Sequence, residues 1–352
     1  MKYMRNVKVA IWGFGAMGRG VGAMLLKKKG VEITGVINRR SNLGKEIHEL
    51  LGVERKDHPA VTITNNVEEV IFHKSCDVVV ICTDSFTKDS YDKIKLALEN
   101  KLNVVSTAEE FAFPQAQNPE LTASLDKIAR ENGVTALGTG INPGFILDYL
   151  IVALTGTCEE VTSIAAQRVN DLSPFGPAVM HEQGVGITPE TYRERMAAND
   201  LAGHVGFPES IAMVAEALGW KLEKVEQTKD PIISNTHREG PYATVEPGNL
   251  AGIRQQGYGY VNGEVKIHMD HPQQCLPHIE GTNTGDYIQI KGTPNISMAI
   301  TPEIPGGIGT ISMSVNMIPH VINAAPGVVT MLDLPVPRAI MGDFRHMIKK
   351  LD

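Results

Sequence analysis

The sequence predicts an α/β protein in which a doubly wound parallel sheet is joined to an α+β domain with an open, mostly antiparallel sheet. Three observations carry this reading. An apolar strand over 7–12 runs straight into Gly13-Phe14-Gly15-Ala16-Met17-Gly18 and then into a helical pattern marked by Val21, Met24 and Leu25. Strand and helix signals alternate from there to Gly138, as a parallel sheet with helical crossovers requires. Beyond Gly138 the residues Gly, Pro, Asn and Thr become frequent and the strands turn half-polar. There Val265, Ile267 and Met269 alternate with Lys266, His268 and Asp270, the period of two of a sheet with one wet face.

Taken in order, the expected strands of the first part are 7–12, 32–37, 61–64, 77–82, 103–106 and 134–138. Helices are expected from Met17 and over 45–51, 90–99 and 119–131. In the second part 161–170, 253–261, 264–270, 286–292 and 310–314 read as strands and 208–218 as a helix. The tail, 317–323 followed by Ala325-Pro326-Gly327-Val328-Val329 and a final helix, is expected to return to the first domain or to a partner subunit.

A chain of 352 residues, 42% of them hydrophobic, exceeds one ordinary domain and can bury a core in each of two. The net charge of −7, with no basic run longer than Lys27-Lys28-Lys29, argues against a nucleic-acid surface. No apolar run reaches the roughly 18 residues that a membrane-spanning helix needs. With no long apolar stretch at its start, the chain is expected to be cytoplasmic, its substrate small. Cys76, Cys82, Cys158 and Cys275 lack paired spacing and read as free thiols.

The glycine motif carries the first piece of chemistry. Gly13 permits the tight turn, Gly15 lets a pyrophosphate approach the backbone, and Gly18 lets the helix pack on the strand. A phosphate would then meet the unpaired N–H groups of the helix N-terminus. This is a Rossmann-type, dinucleotide-binding arrangement, and Gly13 to Gly18 are its candidate contacts. About 20 residues on, an acid would select the ribose 2′-hydroxyl of NAD. Asn38 stands there instead, followed by Arg39, Arg40 and Ser41, a set suited to a 2′-phosphate, so NADP is favoured with NAD or dual use open. Thr83, Asp84 and Ser85 end the fourth strand at the cofactor edge, where they either contact ribose or phosphate or cap the next helix.

Glu109 and Glu110 follow the next strand in an apolar setting of Val104, Val105, Phe111 and Phe113, which can raise a carboxylate's pKa toward neutrality. Adjacent side chains diverge, so one of the two is expected to face the site. In Gly138 to Asp148, the Asn142-Pro143-Gly144 turn offers an amide to nicotinamide or substrate, or serves as a hinge. Arg168, Asn170, His181, His268, Thr293 and Asn323 complete the candidate substrate contacts. The series His268, His271, Cys275 and His278 imitates a metal site but crosses a strand end and a proline loop, so no metal is expected.

Taken together, Trp12 to Gly18, Ser106-Thr107-Ala108-Glu109-Glu110, Gly138 to Gly144 with Asp148, Gly281-Thr282 with Ile290 to Pro294, and Asn323 to Gly327 resemble the 2,4-diaminopentanoate dehydrogenase family. That family lies within the dihydrodipicolinate reductase-like and native amine dehydrogenase group. Dihydrodipicolinate reductases proper carry a His-His segment with a Lys and a Gly-Thr-Thr-Gly turn. Here Ser106-Thr107-Ala108-Glu109 stands in the place of that turn and no such His-His run occurs. The resemblance implies oxidative deamination of a short diamino acid in ornithine degradation, with a glutamate near nicotinamide, at the Glu109-Glu110 segment, handling protons. Two alternatives are a reductase of a cyclic imine or a diaminopimelate-type dehydrogenase, and a non-catalytic dinucleotide-binding redox sensor. The expected organisation is a dinucleotide-binding domain over 1–146, a substrate-binding and dimerisation domain over 147–316 and a C-terminal segment over 317–352. The apolar run 328–334 and the half-buried second sheet suggest a homodimer.

Overall fold

The computed structural model describes residues 5–55, 58–72 and 75–349. Two compact units are present: Met1–Phe145 with Gly306–Asp352, and Ile146–Pro305. In chain order the first unit contains β1 (Val7–Trp12), α1 (Ala16–Leu25), β2 (Val31–Ile37), α2 (Ile47–Leu51), β3 (Ile63–Thr64), α3 (Val67–Ile71), β4 (Val78–Ile81), α4 (Thr87–Glu99), β5 (Asn103–Ser106), α5 (Pro119–Asn132) and β6 (Thr135–Gly138). The second holds α6 (Tyr149–Thr155), β7 (Glu160–Asp171), α7 (Pro177–Glu182), α8 (Pro189–Ala197), α9 (Phe207–Ala217), β8 (Lys224–Ile233), β9 (Arg238–Glu239), β10 (Thr244–Val245), β11 (Leu250–Val261), β12 (Glu264–Gln274), β13 (Gly285–Thr293) and β14 (Ile296–Ile300). The first unit then resumes with α10 (Gly306–Asn323) and β15 (Gly327–Val329).

The first unit is a parallel sheet in the order β15-β6-β5-β4-β1-β2-β3. Every residue of β4 is buried, which explains its unbroken Val-Val-Val-Ile: a parallel strand covered on both faces has no polar side. Ala10, Val79, Ile81, Leu98, Val104, Phe111 and Leu125 form one continuous core there. Since β1 lies between β2 and β4, strand order reverses at its carboxyl end. Ligands of open α/β sheets bind at such a reversal.

In the second unit the sheet order is β14-β13-β7-β12-β11-β8, antiparallel except for the β7–β12 pair. Helix α9 lies on one face over Gly257 and Gly259, where an added Cβ would stand 2.9 Å from Phe207 and 2.6 Å from Ile211. The register places Ile164, Ala166, Ile267, Met269, Ile288 and Ile290 on that same face, all buried. The opposite face carries Lys266, His268, Gln289 and Lys291, as the period of two requires.

Several expectations need correction. The strand expected at 310–314 lies inside α10, and the final helix is a single 3-10 turn, Phe344–Met347. Thr310, Ile311 and Val315 look strand-forming, yet this segment packs as a helix on α1, where an added Cβ at Gly20 would stand 2.1 Å from Ile311. Packing here overrides local propensity. The boundary expected at 317 therefore falls within a helix, and the chain re-enters the first unit at Gly306. Pro335 and Pro337 interrupt the tail, which explains its short last turn. Strands β8 and β14 had no expected counterpart: both lie at the sheet edges, β8 is largely polar and exposed, and β14 alternates over only five residues.

Candidate active site

The glycine turn has the geometry that its spacing suggests. Gly13 adopts φ +97°, and a Cβ on it would stand 2.7 Å from the Cys82 carbonyl oxygen. At Gly18 a Cβ would lie only 1.8 Å from the Gly13 carbonyl oxygen, so no other residue fits. Gly15 is different: nothing lies within 4 Å of where its Cβ would be. That open space fronts the N-terminus of α1, which has neither a side-chain cap nor an acidic residue in its first turn. Backbone N–H groups and the helix dipole make this a cradle for a pyrophosphate. Ala16 and Met17 open the helix beside it.

Phe14 contributes differently from expectation. Its ring is fully buried, and its N–H donates to Asn38 Oδ1 at 3.3 Å. Asn38 in turn donates from Nδ2 to the carbonyl and hydroxyl oxygens of Ser41, both at 2.8 Å. Asn38 and Ser41 thus fasten the loop after β2 to the glycine turn rather than presenting free groups. Arg39 and Arg40 are exposed, and among the described residues neither guanidinium group has a protein partner. Thr83 bonds to Asp84, which pairs with Lys93 of α4 at 2.7 Å. These two polar groups are engaged with their own neighbours.

The structure separates the two acids. Glu110 Oε2 accepts the Thr87 N–H at 2.8 Å and the Asn118 amide at 3.2 Å, while Gln117 lies 3.5 Å from Oε1. Glu110 therefore caps α4 from a distance, the task considered for Thr83 and Ser85. Ser85 instead accepts the Glu110 N–H through its carbonyl at 3.1 Å, and its hydroxyl acts on Glu109 to favour the carboxylate. Burial pushes the Glu109 carboxyl above the usual carboxylate range against those hydrogen bonds, and the neighbouring Glu110 charge adds to the rise. Both acids open a 3-10 turn whose Phe111 and Ala112 anchor it in the core.

The Asn142-Pro143 bond is cis, and Gly144 has φ +121° with space for no Cβ, since one would stand 2.5 Å from the Gly140 nitrogen. Pro143 and Gly144 are buried. They shape the turn instead of offering the side-chain contacts expected of them, which leaves Asn142, half-buried, as the polar group there.

In the second unit the candidate substrate residues scatter. Arg168 is 2% exposed, bonded to the fully buried Asp286 and to the Ile304 carbonyl at 2.6 Å. A guanidinium so committed is structural, which corrects its assignment to substrate. Asn170, on the same face, is buried, and its Oδ1 has no partner among the described residues. His268 projects from the opposite face, stacked 4.9 Å from Tyr258 and 2.9 Å from the Gln256 amide, so it cannot share a pocket with Arg168 and Asn170. Thr293 ends β13 seven residues from Asp286, roughly 24 Å along the strand, and so is equally remote. His181 is an exposed residue of α7. Asn323 belongs to the first unit, where its amide donates to the Met347 carbonyl at 2.7 Å and accepts the Lys349 N–H at 2.8 Å. It precedes β15 at the amino edge of the sheet, away from the cofactor edge.

Two imidazoles form a pair that the sequence did not show: His271, considered there only in a metal-like series, and His204, not singled out at all. His271 Nδ1 lies 2.6 Å from the Arg168 carbonyl, and its ring meets His204 edge-on at 4.9 Å. Burial, followed by the Arg168 charge, lowers His271 to about 3. Burial also holds His204 well below its ordinary value, with His271 and Arg168 adding to the effect. No motif links the two residues; only the register of β7 and β12 and the loop before α9 bring them together. Among the described residues no cluster of three or more His, Cys, Asp or Glu side chains is placed to hold a metal.

Comparisons with known proteins agree with this architecture. Residues 7–133 match the dihydrodipicolinate reductase N-terminus model, and residues 145–350 match the 2,4-diaminopentanoate dehydrogenase C-terminal domain model. A 2,4-diaminopentanoate dehydrogenase from Acetoanaerobium sticklandii is 56% identical over 99% of this chain and 98% of its own. An amine dehydrogenase from Streptomyces virginiae is 25% identical over 95% of this chain and 98% of its own. The structure of an amine dehydrogenase from Mycobacterium smegmatis superposes with a TM-score of 0.84 at 25% identity, covering 97% of this chain and 100% of that one. A Rossmann-type unit for NAD(P) and a second unit matched over its whole length identify an oxidoreductase, and the chain belongs to the 2,4-diaminopentanoate dehydrogenase family.

Proposed function

We propose that the chain oxidatively deaminates a short diamino acid, 2,4-diaminopentanoate, to 2-amino-4-oxopentanoate and ammonia. The bound nicotinamide would accept hydride from the amine-bearing C4 of the substrate. The substrate becomes an iminium, water adds to that carbon, and ammonia leaves as the carbonyl forms. Glu109 is the group assigned to the proton transfers. The observation that carries this assignment is the division of labour in the acid pair: Glu110 is occupied as a helix cap, while Glu109 sits in a desolvated setting that raises its pKa. A carboxylate beside the reacting carbon stabilises developing iminium charge and can take a proton first from the ammonium and later from water.

The cradle at Gly15 would hold the pyrophosphate, and Asn142 would contact the carboxamide or the substrate. NADP is the preferred cofactor in this reading, supported by the partnerless Arg39 and Arg40 and by the lack of an acid at Asn38. The test is a panel of amino acids and diamines, assayed by absorbance of the reduced cofactor with ammonia measured in parallel. Ammonia should appear in step with reduced cofactor, and fastest for 2,4-diaminopentanoate. If the cofactor binds but no amine is turned over in either direction, the proposal is wrong.

A further inference from the structure

The first unit contains a second ligand-sized cavity that the proposed reaction does not use. It has a volume of about 510 Å³, and its lining includes Arg130, His320, Asn323, Asp333, Arg338 and Lys349. It flanks β15, four strands away from β1 in the sheet order, or roughly 19 Å from the glycine turn by strand spacing alone. The lining is cationic. Arg130 is paired with Asp126 at 2.7 Å, and Asp333 is taken up by Thr330, whose N–H and hydroxyl it accepts at 2.8 and 2.9 Å. Arg338 has only a 3.5 Å contact with the Met347 sulfur, and Lys349 shows no side-chain partner among the described residues.

A second observation points to a ligand. His320 is 5% exposed, and its Nε2 is enclosed without a hydrogen-bond partner among the described residues. Native structures rarely leave a buried polar atom unsatisfied, because the lost solvation is costly. An anion held in this cavity by Arg338 and Lys349 would give His320 Nε2 an acceptor and offset the positive charge of the lining. We propose that this cavity binds a small multivalent oxyanion, a free phosphate or the phosphate group of a small metabolite, through Arg338, Lys349 and His320.

Burial and the Arg338 charge lower the His320 pKa in the absence of a ligand. An anion beside the ring favours the imidazolium, so binding should tighten as pH falls. The other charged groups of the lining are Arg130, Asp333, Arg338 and Lys349, and the 3-10 turn Phe344–Met347 packed against α10 adds Arg345 and His346, so the His320→Gln variant is what assigns the pH dependence to His320.

The experiment titrates sodium sulfate into the full-length protein saturated with NADP, by calorimetry at an ionic strength held constant with chloride. Saturating NADP occupies the phosphate sites of the cofactor cleft, and sulfate itself does not titrate in this range. Saturable binding of one sulfate is expected, about tenfold or more weaker in the Arg338→Ala, Lys349→Ala double variant. His320→Gln should remove the pH dependence. In wild-type protein, sulfate should raise the pKa of the His320 ring followed by NMR, a readout that survives any variant that fails to fold. Parallel titrations with inorganic phosphate and glycerol 3-phosphate distinguish a free anion from a phosphorylated metabolite by which binds more tightly. No saturable binding, equal binding by the double variant, or an unmoved His320 pKa would overturn the proposal.

Discussion

Replacing each acid of the pair by glutamine tests the division of labour directly. Glutamine keeps the volume of the side chain and removes its charge. For Glu109→Gln the loss is that of a positioned proton-transfer group, about 10²–10⁴-fold in kcat, with cofactor affinity unchanged. Glu110→Gln should act elsewhere. Its carboxylate accepts the Thr87 N–H at 2.8 Å and the Asn118 amide at 3.2 Å, so its loss weakens the start of α4 by about 1 kcal/mol. Removing its charge also takes away one of the influences that raise Glu109. The acid limb of the kcat/KM profile, set by Glu109 as a base, should therefore lie above the usual carboxylate range in wild type and move to lower pH in Glu110→Gln. The assay is initial reduction of cofactor with ammonia release across pH, beside thermal unfolding and cofactor titration of each variant. Near-normal kcat in Glu109→Gln would refute the reasoning. So would a large loss in Glu110→Gln with its unfolding temperature unchanged.

Arg39→Ala combined with Arg40→Ala should weaken NADP by an order of magnitude or more while leaving NAD nearly unaffected, as fluorescence titration would show; equal losses would mean that these arginines do not read the 2′-phosphate. Asp286→Asn uncompensates the buried Arg168 guanidinium and should cost about 3–5 kcal/mol in urea unfolding, whereas a change confined to KM would restore Arg168 as a substrate contact. His271, held to about 3 when folded against an ordinary value of 6.5, binds its proton more readily in the unfolded chain. Stability should accordingly fall as pH drops below about 6.5 and continue falling toward pH 3, with a His271→Gln variant losing part of that slope; an identical slope in urea titrations would remove His271 as the cause.

Much of the cofactor half was legible in the sequence because its determinants are local. Gly13, Gly15 and Gly18 act through the conformation and close packing of one turn, and β4 announces its burial by having no polar residue. The acid pair was legible as a pair, but its division was not. What distinguishes Glu110 is the N–H of Thr87, 23 residues earlier, which only the folded sheet edge brings within reach.

The sequence by itself determined the apolar strands, the glycine turn and the periodicities that set which residues share a face, because these follow from backbone geometry and burial over a few consecutive residues. Tertiary structure decided the rest. Arg168 reads as an open carboxylate receptor until Asp286, 118 positions away, is paired with it. That His268 faces away from Arg168 and Asn170 depends on the register between β7 and β12, which no short window of sequence contains. Residues 306–323 carry strand-forming side chains but fold as a helix, because the surface offered by α1 rewards a helical packing more than the propensity of Thr310, Ile311 and Val315 opposes it.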